Sequence, residues 1–411
     1  MPKVRSSAKS APRQTAHAAH HQPDLAAALD RALELMSIPG KSGEEQAVAA
    51  YITRQLRKAG VPASAIASDD ANRHTPYHGQ VGNLVCTLPG TLRAPRRLLM
   101  AHLDTVPLCV GCKPARKRGI VRSADPATGL GADDRAGCAV VLTAALEIVR
   151  RRLPHPPLTF FWPVQEEVGL YGARFARLAL LRKPRLAFNW DGGAAEKLTV
   201  GATGAYRMTI AITGLAAHAG GAPEQGVSAI TAAGLAIADL QRQGWLGDVH
   251  QDQRHGTSNI GVIQGGAATN VVTDRVVLRA ECRSHDPDFR HEILSAFEHA
   301  FQEAAGKVRN VAGVSAKAAV ESRLDYEAFR LDDREPCVLA AEAAVRRTGG
   351  QPFRAITNGG LDANWLSARG IPTVTLGCGQ HNVHTTGEQL DVAAFEHACR
   401  IALCLATASE G

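Results

Sequence analysis

Three short apolar runs in this chain each end abruptly in side chains able to hold a metal ion. Leu98-Leu99-Met100-Ala101 runs into His102-Leu103-Asp104-Thr105, and Phe160-Phe161-Trp162-Pro163-Val164 runs into Gln165-Glu166-Glu167. Leu186-Ala187-Phe188-Asn189-Trp190 runs into Asp191-Gly192-Gly193. Apolar runs this short, bounded by turn formers, read as strands. In open α/β sheets ligands bind beyond the carboxyl ends of the strands, so the three tips are placed to converge. Singly, an Asp or His after a strand also reads as a turn former or helix cap, and two adjacent glutamates as a solvated face. Together at one sheet edge they would repel and lose solvation unless a cation offset them.

Strands expected at 83–88, 97–102, 158–164 and 185–190 alternate with helices expected at 25–36, 44–59, 135–152 and 173–181. That alternation predicts an α/β fold with a mostly parallel sheet. Past Gly201–Gly204 the texture changes. A strand at 206–213 alternates like a half-exposed one, then a helix at 228–243, strands at 259–264 and 271–283, and a helix at 288–306 follow. This block reads as an inserted, smaller α+β domain, with the first architecture resuming near Asp325. A length of 411 residues suits two or three domains. With 45% hydrophobic and 21% charged residues the composition is globular, which excludes a wholly disordered or collagen-like chain. No segment reaches the roughly 18–20 apolar residues of a membrane-spanning helix.

The net charge of +7 speaks mainly about one end of the chain: residues 1–22 hold Lys3, Arg5, Lys9 and Arg13 and no acid. We read residues 1–23 as a solvated basic arm without the apolar core of a secretory signal. With only 5% aromatic residues to stack on bases, no nucleic-acid partner is expected. Nine cysteines, an odd number without framework spacing, suit reduced thiols and a cytoplasmic location. The lone Cys109/Cys112 pair lacks the second pair of a structural zinc site.

Two further segments carry acids and histidines. Gly129-Leu130-Gly131-Ala132-Asp133-Asp134-Arg135-Ala136-Gly137 sets two acids at a glycine-rich turn into a helix. It lacks the GK[ST] ending of a phosphate loop, and its acids would repel a phosphate; a helix cap combined with a bridging carboxylate suits it better. Val383-His384-Thr385-Thr386-Gly387-Glu388 lies near the C-terminus. His291-Glu292 is a decoy, because the residue four after His291 is Ser295 and no HExxH motif forms.

The ordered set HLDTV, GADDRAG, QEEVG, WDGG and HTTGE resembles the di-zinc metallopeptidase family of peptidase T, glutamate carboxypeptidase and the aminoacylases. The resemblance runs from about residue 24 to 409 and is closest to the peptidase T-like branch. It implies a catalytic α/β domain at 24–204 and 323–411, split by a lid and dimerisation domain at 205–322. It also implies two zinc ions, for which cobalt or manganese are possible substitutes. His102 and Asp191 would hold one, Glu167 and His384 the other, and Asp133 would bridge them. Glu166 falls at the family's general base. Asp104, two residues past His102 on an extended chain, would orient that imidazole. A cis peptide bond is expected between Asp133 and Asp134.

In the inserted domain the resemblance maps His218 onto a histidine that stabilises the oxyanion, often across a dimer, and Asn270 onto an asparagine-bearing turn. It maps Arg283 onto an arginine for the substrate carboxylate, a task suited to a planar guanidinium. Gly360 lies in a second glycine pair, where Asn358 replaces the arginine of the peptidase T pattern. The implied reaction is hydrolysis of the amide bond of a small peptide by a homodimer built through the lid. An N-acyl or N-carbamoyl amino acid amidohydrolase, and a non-catalytic binding protein on the same scaffold, are the alternatives. The basic stretch Lys113, Arg116, Lys117, Arg118 and Arg122 reads as a solvated charge run.

Overall fold

The computed structural model describes residues 22–407, so the reading of the basic arm falls almost wholly outside the described residues. The strands Leu158–Trp162, Arg97–Met100, Leu186–Trp190 and Thr373–Leu376 lie side by side and all parallel, in that order, at the centre of a nine-stranded sheet. Leu84–Leu88 and Lys197–Ala202 flank this block antiparallel, so the sheet is mixed and mainly parallel at its core. The central strands are buried along their full length. Leu99, Phe160 and Phe188 face one core, while Leu98, Met100, Phe161 and Ala187 face another. Burial on both faces explains why these strands read as continuous apolar runs.

The larger core sits under three helices, Leu25–Ser37, Ala132–Arg151 and Val392–Thr407. Asp24 caps the first by accepting from the Ala27 backbone amide at 3.0 Å, and Ala28, Ala32, Leu35 and Met36 form its buried stripe. The second is buried from Asp134 to Ile148, as its nearly all-round apolar sequence demands. The helix expected at 173–181 is instead two short turns, Tyr171–Phe175 and Leu178–Leu181. The chain opens between them because the Arg177 amide donates to buried Asp69.

The block after Gly204 forms a separate five-stranded antiparallel sheet. Its order is Gly247–Gln251, Arg254–Gly265, Arg275–Ser284, Gly204–Thr213 and Lys317–Tyr326. Met208, Ile210 and Ile212 alternate with more exposed neighbours, and Val276, Leu278, Ala280 and Cys282 do the same on the adjacent strand. That face is covered by the helices Ala229–Arg242 and Pro287–Lys307. Two edges escape sequence reading: Gly247–Gln251 and Lys317–Tyr326 are polar, exposed strands without a clean apolar period. Strand Phe329–Arg330 then returns to the large sheet beside Lys197–Ala202.

Candidate metal centre

Strand register brings the three tips together. Met100 pairs with Phe161 on one side and Asn189 on the other, so His102, the Glu166–Glu167 turn and Asp191 emerge at one level. Backbone bonds extend this alignment past the strands: Leu103 N donates to Pro163 O at 2.7 Å and Asp191 N to Leu376 O at 3.0 Å. Two loops complete the site. The Gly131–Asp134 turn enters from the buried helix, and His384 enters from a loop between the short strands Gln380–His381 and Gln389–Asp391. The basic stretch folds as a hairpin, Pro114–Lys117 with Ile120–Ser123, against the second of these strands, and Arg116, Lys117 and Arg118 are exposed.

Asp133 stands between the two histidines. Its Oδ1 lies 3.2 Å from His102 Nε2 and its Oδ2 lies 3.3 Å from His384 Nε2. His384 Nε2 is also 2.9 Å from Glu167 Oε2. Two donor groups result, His102–Asp133–Asp191 and Asp133–Glu167–His384, each with ligand atoms within 4.8 Å of one another. They overlap only at Asp133. Glu166 belongs to neither group; its Oε2 is 4.0 Å from His102 Nε2. The Asp133–Asp134 peptide is cis, as the resemblance implies. Gln165 and His384 both take positive φ, 55° and 63°, uncommon for side chains with a Cβ.

The electrostatics of this cluster are those of acids short of positive charge. Burial pushes Glu167 and Asp191 up to about 7, with Asp133 adding to both, and pushes Glu166 well above the usual carboxylate range. His384 is raised to about 10 by Asp133 and Glu167. Burial opposes charge on His102, yet Glu166, Asp104 and Asp133 hold it well above the ordinary imidazole value. Imidazoles and carboxylates at these positions are the nitrogen and oxygen donors zinc takes, and the crowding of acids is what divalent cations would offset. The residues therefore fit a pair of such ions.

A surrounding layer fixes these groups, and much of it escaped the sequence. Asp104, fully buried, accepts from Ser42 Oγ at 2.6 Å and from the Glu166 and Glu167 amides at 3.0 and 3.2 Å; its Oδ1 lies 3.3 Å from His102 Nδ1. Asp134 accepts from the His102 amide, from Gln380 Nε2 and from the Gly137 amide three residues on, so it caps the regular part of the helix. Glu388 accepts from the Gly131 and Asp133 amides at 2.8 and 3.0 Å and so ties the bridging turn to the His384 loop. Asp104, Asp134 and Glu388 carried a signal in the HLDTV, GADDRAG and HTTGE motifs; Ser42, Glu45, Gln380 and Asp362 carried none. Glu45 accepts from the Gln165 amide at 3.1 Å. Asp362 is buried with both oxygens unpartnered, and burial raises it well above the carboxylate range.

The residues assigned to substrate lie apart from this cluster. His218 and Asn270 are exposed and adjoin one another, with Ala219 N donating to Asn270 O at 3.0 Å; no hydrogen bond joins either to the centre. Arg283 pairs with Glu281 and donates from Nη1 to Asn358 O at 3.1 Å, which links the inserted sheet to the Gly359–Gly360 loop. Gly360 lies against the Tyr326 ring, and its neighbours Thr357 and Leu361 line a cleft of about 350 Å³ shared with Asp133 and Asp191. All nine cysteines are free and buried.

A mainly parallel sheet with His and carboxylate donors gathered at its strand tips has the donor set of a divalent metal centre. Residues 98–408 match the peptidase family M20/M25/M40, and the chain belongs to that family. A Bacillus subtilis (strain 168) protein, the uncharacterized protein YqjE, is 34% identical over 365 residues, covering 89% of this chain and 93% of its own. The crystal structure of a Staphylococcus aureus tripeptidase is similar at a TM-score of 0.84 and 32% identity, covering 94% of this chain and 98% of the other. That of the aminopeptidase PepT from Bacillus cereus is similar at 0.80 and 32%, with the same coverage. Among the described residues no helix is long and apolar enough to cross a membrane.

Proposed function

We propose that the protein hydrolyses the amide bond of small peptides, as a di- or tripeptidase of aminopeptidase type, with two zinc ions per chain. The observation that carries the reading is Asp133, with one oxygen toward each histidine and a second carboxylate, Glu166, close by but outside both donor groups. His102 and Asp191 would hold one ion and Glu167 and His384 the other, with Asp133 shared. When bound, such ions polarise the scissile carbonyl and lower the pKa of water. The names of the tripeptidase and aminopeptidase structures support a peptide substrate for this chain.

The chain's own residues divide the remaining work. Glu166, left free of ligation, accepts the proton of the attacking water and returns it to the departing amine. Asp104 holds the His102 ring with Nε2 toward Asp133, and Ser42 with two backbone amides holds Asp104. Arg283 takes the substrate carboxylate. His218 and Asn270, exposed on adjoining loops of the inserted domain, complete the centre of a partner chain in a homodimer built through that domain. Buried, free thiols support a reducing, cytoplasmic location.

Amine release from a panel of dipeptides, tripeptides and N-acetyl amino acids, with the zinc-loaded protein, tests this. Turnover of the free peptides is expected. Turnover of the N-acyl amino acids alone would replace the peptidase reading with the amidohydrolase one. The observation favouring that second reading is local: Asn358, in place of an arginine, offers only neutral partners, its Oδ1 lying 3.3 Å from His285 Nε2. No turnover at all, with metal bound, would leave a binding protein on this scaffold.

A further inference from the structure

Far along the chain from every motif of the centre, the geometry points to a second metal site, a surface site for one borderline divalent transition-metal ion, zinc or copper, made by Asp248, His250 and His255. These residues lie on the hairpin formed by Gly247–Gln251 and Arg254–Gly265 at the edge of the inserted sheet. Asp248 and His250 are two apart on one strand and so point to the same face. His255 is the direct cross-strand partner of His250. Buried Val249 between them points into the helical core, which leaves the three side chains on the open face of the sheet.

The donor atoms converge. His250 Nε2 lies 2.9 Å from Asp248 Oδ2, His255 Nε2 lies 2.7 Å from Asp248 Oδ1, and the two rings are 4.6 Å apart between centroids. All three ligand atoms lie within 4.8 Å of one another. Bonds of about 2.0–2.2 Å to a tetrahedral zinc separate its donors by roughly 3.3–3.6 Å, so these contacts need open by only about 0.4–0.9 Å. They are free to do so, being 43–70% exposed, while the backbone beneath them is held by strand pairing. Two imidazoles and one carboxylate leave a fourth position to water, a set suited to zinc or copper and poor for magnesium or calcium. Bound there, the ion would cross-link an edge strand that has a neighbour on one side only.

The site is independent of the proposed function, because none of its residues touches the centre. Its test is metal content of the full-length protein after equilibrium dialysis against zinc and removal of loosely held ions. H250N/H255N, altered only at exposed side chains, is expected to retain one zinc equivalent fewer than the unaltered protein. D133N is expected to lose the central ions and keep this one. In the D133N background, added copper(II) should give a spin resonance spectrum split by two imidazole nitrogens, and that splitting should vanish on adding H250N/H255N. Equal zinc content with and without H250N/H255N overturns the inference. So does an equal loss in H299N, since His299 is an ordinary exposed histidine on a helix beside Glu303. A failure at the centre alone would show as D133N behaving like the unaltered protein, with the hairpin difference intact.

Discussion

Replacing Asp104 by Asn tests whether the surrounding layer, rather than the ligands alone, sets metal affinity. The carboxylate has four donors around it: Ser42 Oγ, the Glu166 and Glu167 amides, and the His102 ring nitrogen 3.3 Å away. An amide has one oxygen, so its NH2 must face some of them. The milder orientation puts that NH2 toward Ser42 and Glu167. Ser42 Oγ can rotate to accept, but the Glu167 amide then points at another donor. A buried donor left unpaired costs about 1–3 kcal/mol. It falls on a ligand, because Glu167 is itself placed by that amide. Losing the charge opposite His102 weakens the imidazole as a donor as well. Substitutions of this kind cost about 10–100-fold in metal affinity. In the metal-free chain the same carboxylate faces His102, which Glu166, Asp104 and Asp133 hold well above the ordinary imidazole value against the effect of burial. His102 in turn holds Asp104 below the usual carboxylate range despite its burial, so the substitution removes an attraction there as well. Melting temperature without metal should therefore fall as well. Zinc dissociation constants measured by indicator competition are expected to rise 10–100-fold for D104N and by a smaller factor for S42A. A D104N affinity within twofold of the unaltered protein would refute the argument.

Other outcomes are expected from the same geometry. E166Q should keep its zinc by elemental analysis yet lose about 10²–10⁴-fold in turnover of whichever substrate the panel identifies; undiminished turnover would remove Glu166 as the base. In the metal-free chain His384 is raised from 6.5 to about 10, first by Asp133, whose own carboxyl is lowered, so that pairing is fully present below about 6.5 and fades as pH climbs through about 10. Because a ligating imidazole must be neutral, zinc binding at pH 7.5 should expel that proton, and affinity should strengthen with pH. Calorimetry in buffers of different ionisation enthalpy reads this directly, and identical heats in all buffers would contradict it. G360A would set a Cβ 2.6–2.9 Å from ring atoms of buried Tyr326. Overpacking of this kind costs roughly 1–3 kcal/mol, visible as a lowered melting temperature, and an unchanged melt would show that the ring yields freely.

The amino-acid order alone determined which strands lie at the heart of this protein and which residues end them. Strands buried on both faces have to be apolar throughout, so polar side chains at their tips stand out against the run that precedes them. The parallel sheet and the donors on its strand tips were legible for that reason, and the Gly131–Asp134 turn and the HTTGE loop through the family resemblance. Polar edge strands such as Gly247–Gln251 carry no comparable contrast, and the hairpin with Asp248, His250 and His255 was invisible until pairing set the two histidines opposite one another. The same holds for Ser42, Glu45, Gln380 and Asp362, which belong to segments up to hundreds of residues apart. Their meaning depends on which donor or charge each one faces. Chain folding alone decides that, because a hydrogen bond or an unpaired buried carboxylate is a relation between distant residues and has no local pattern.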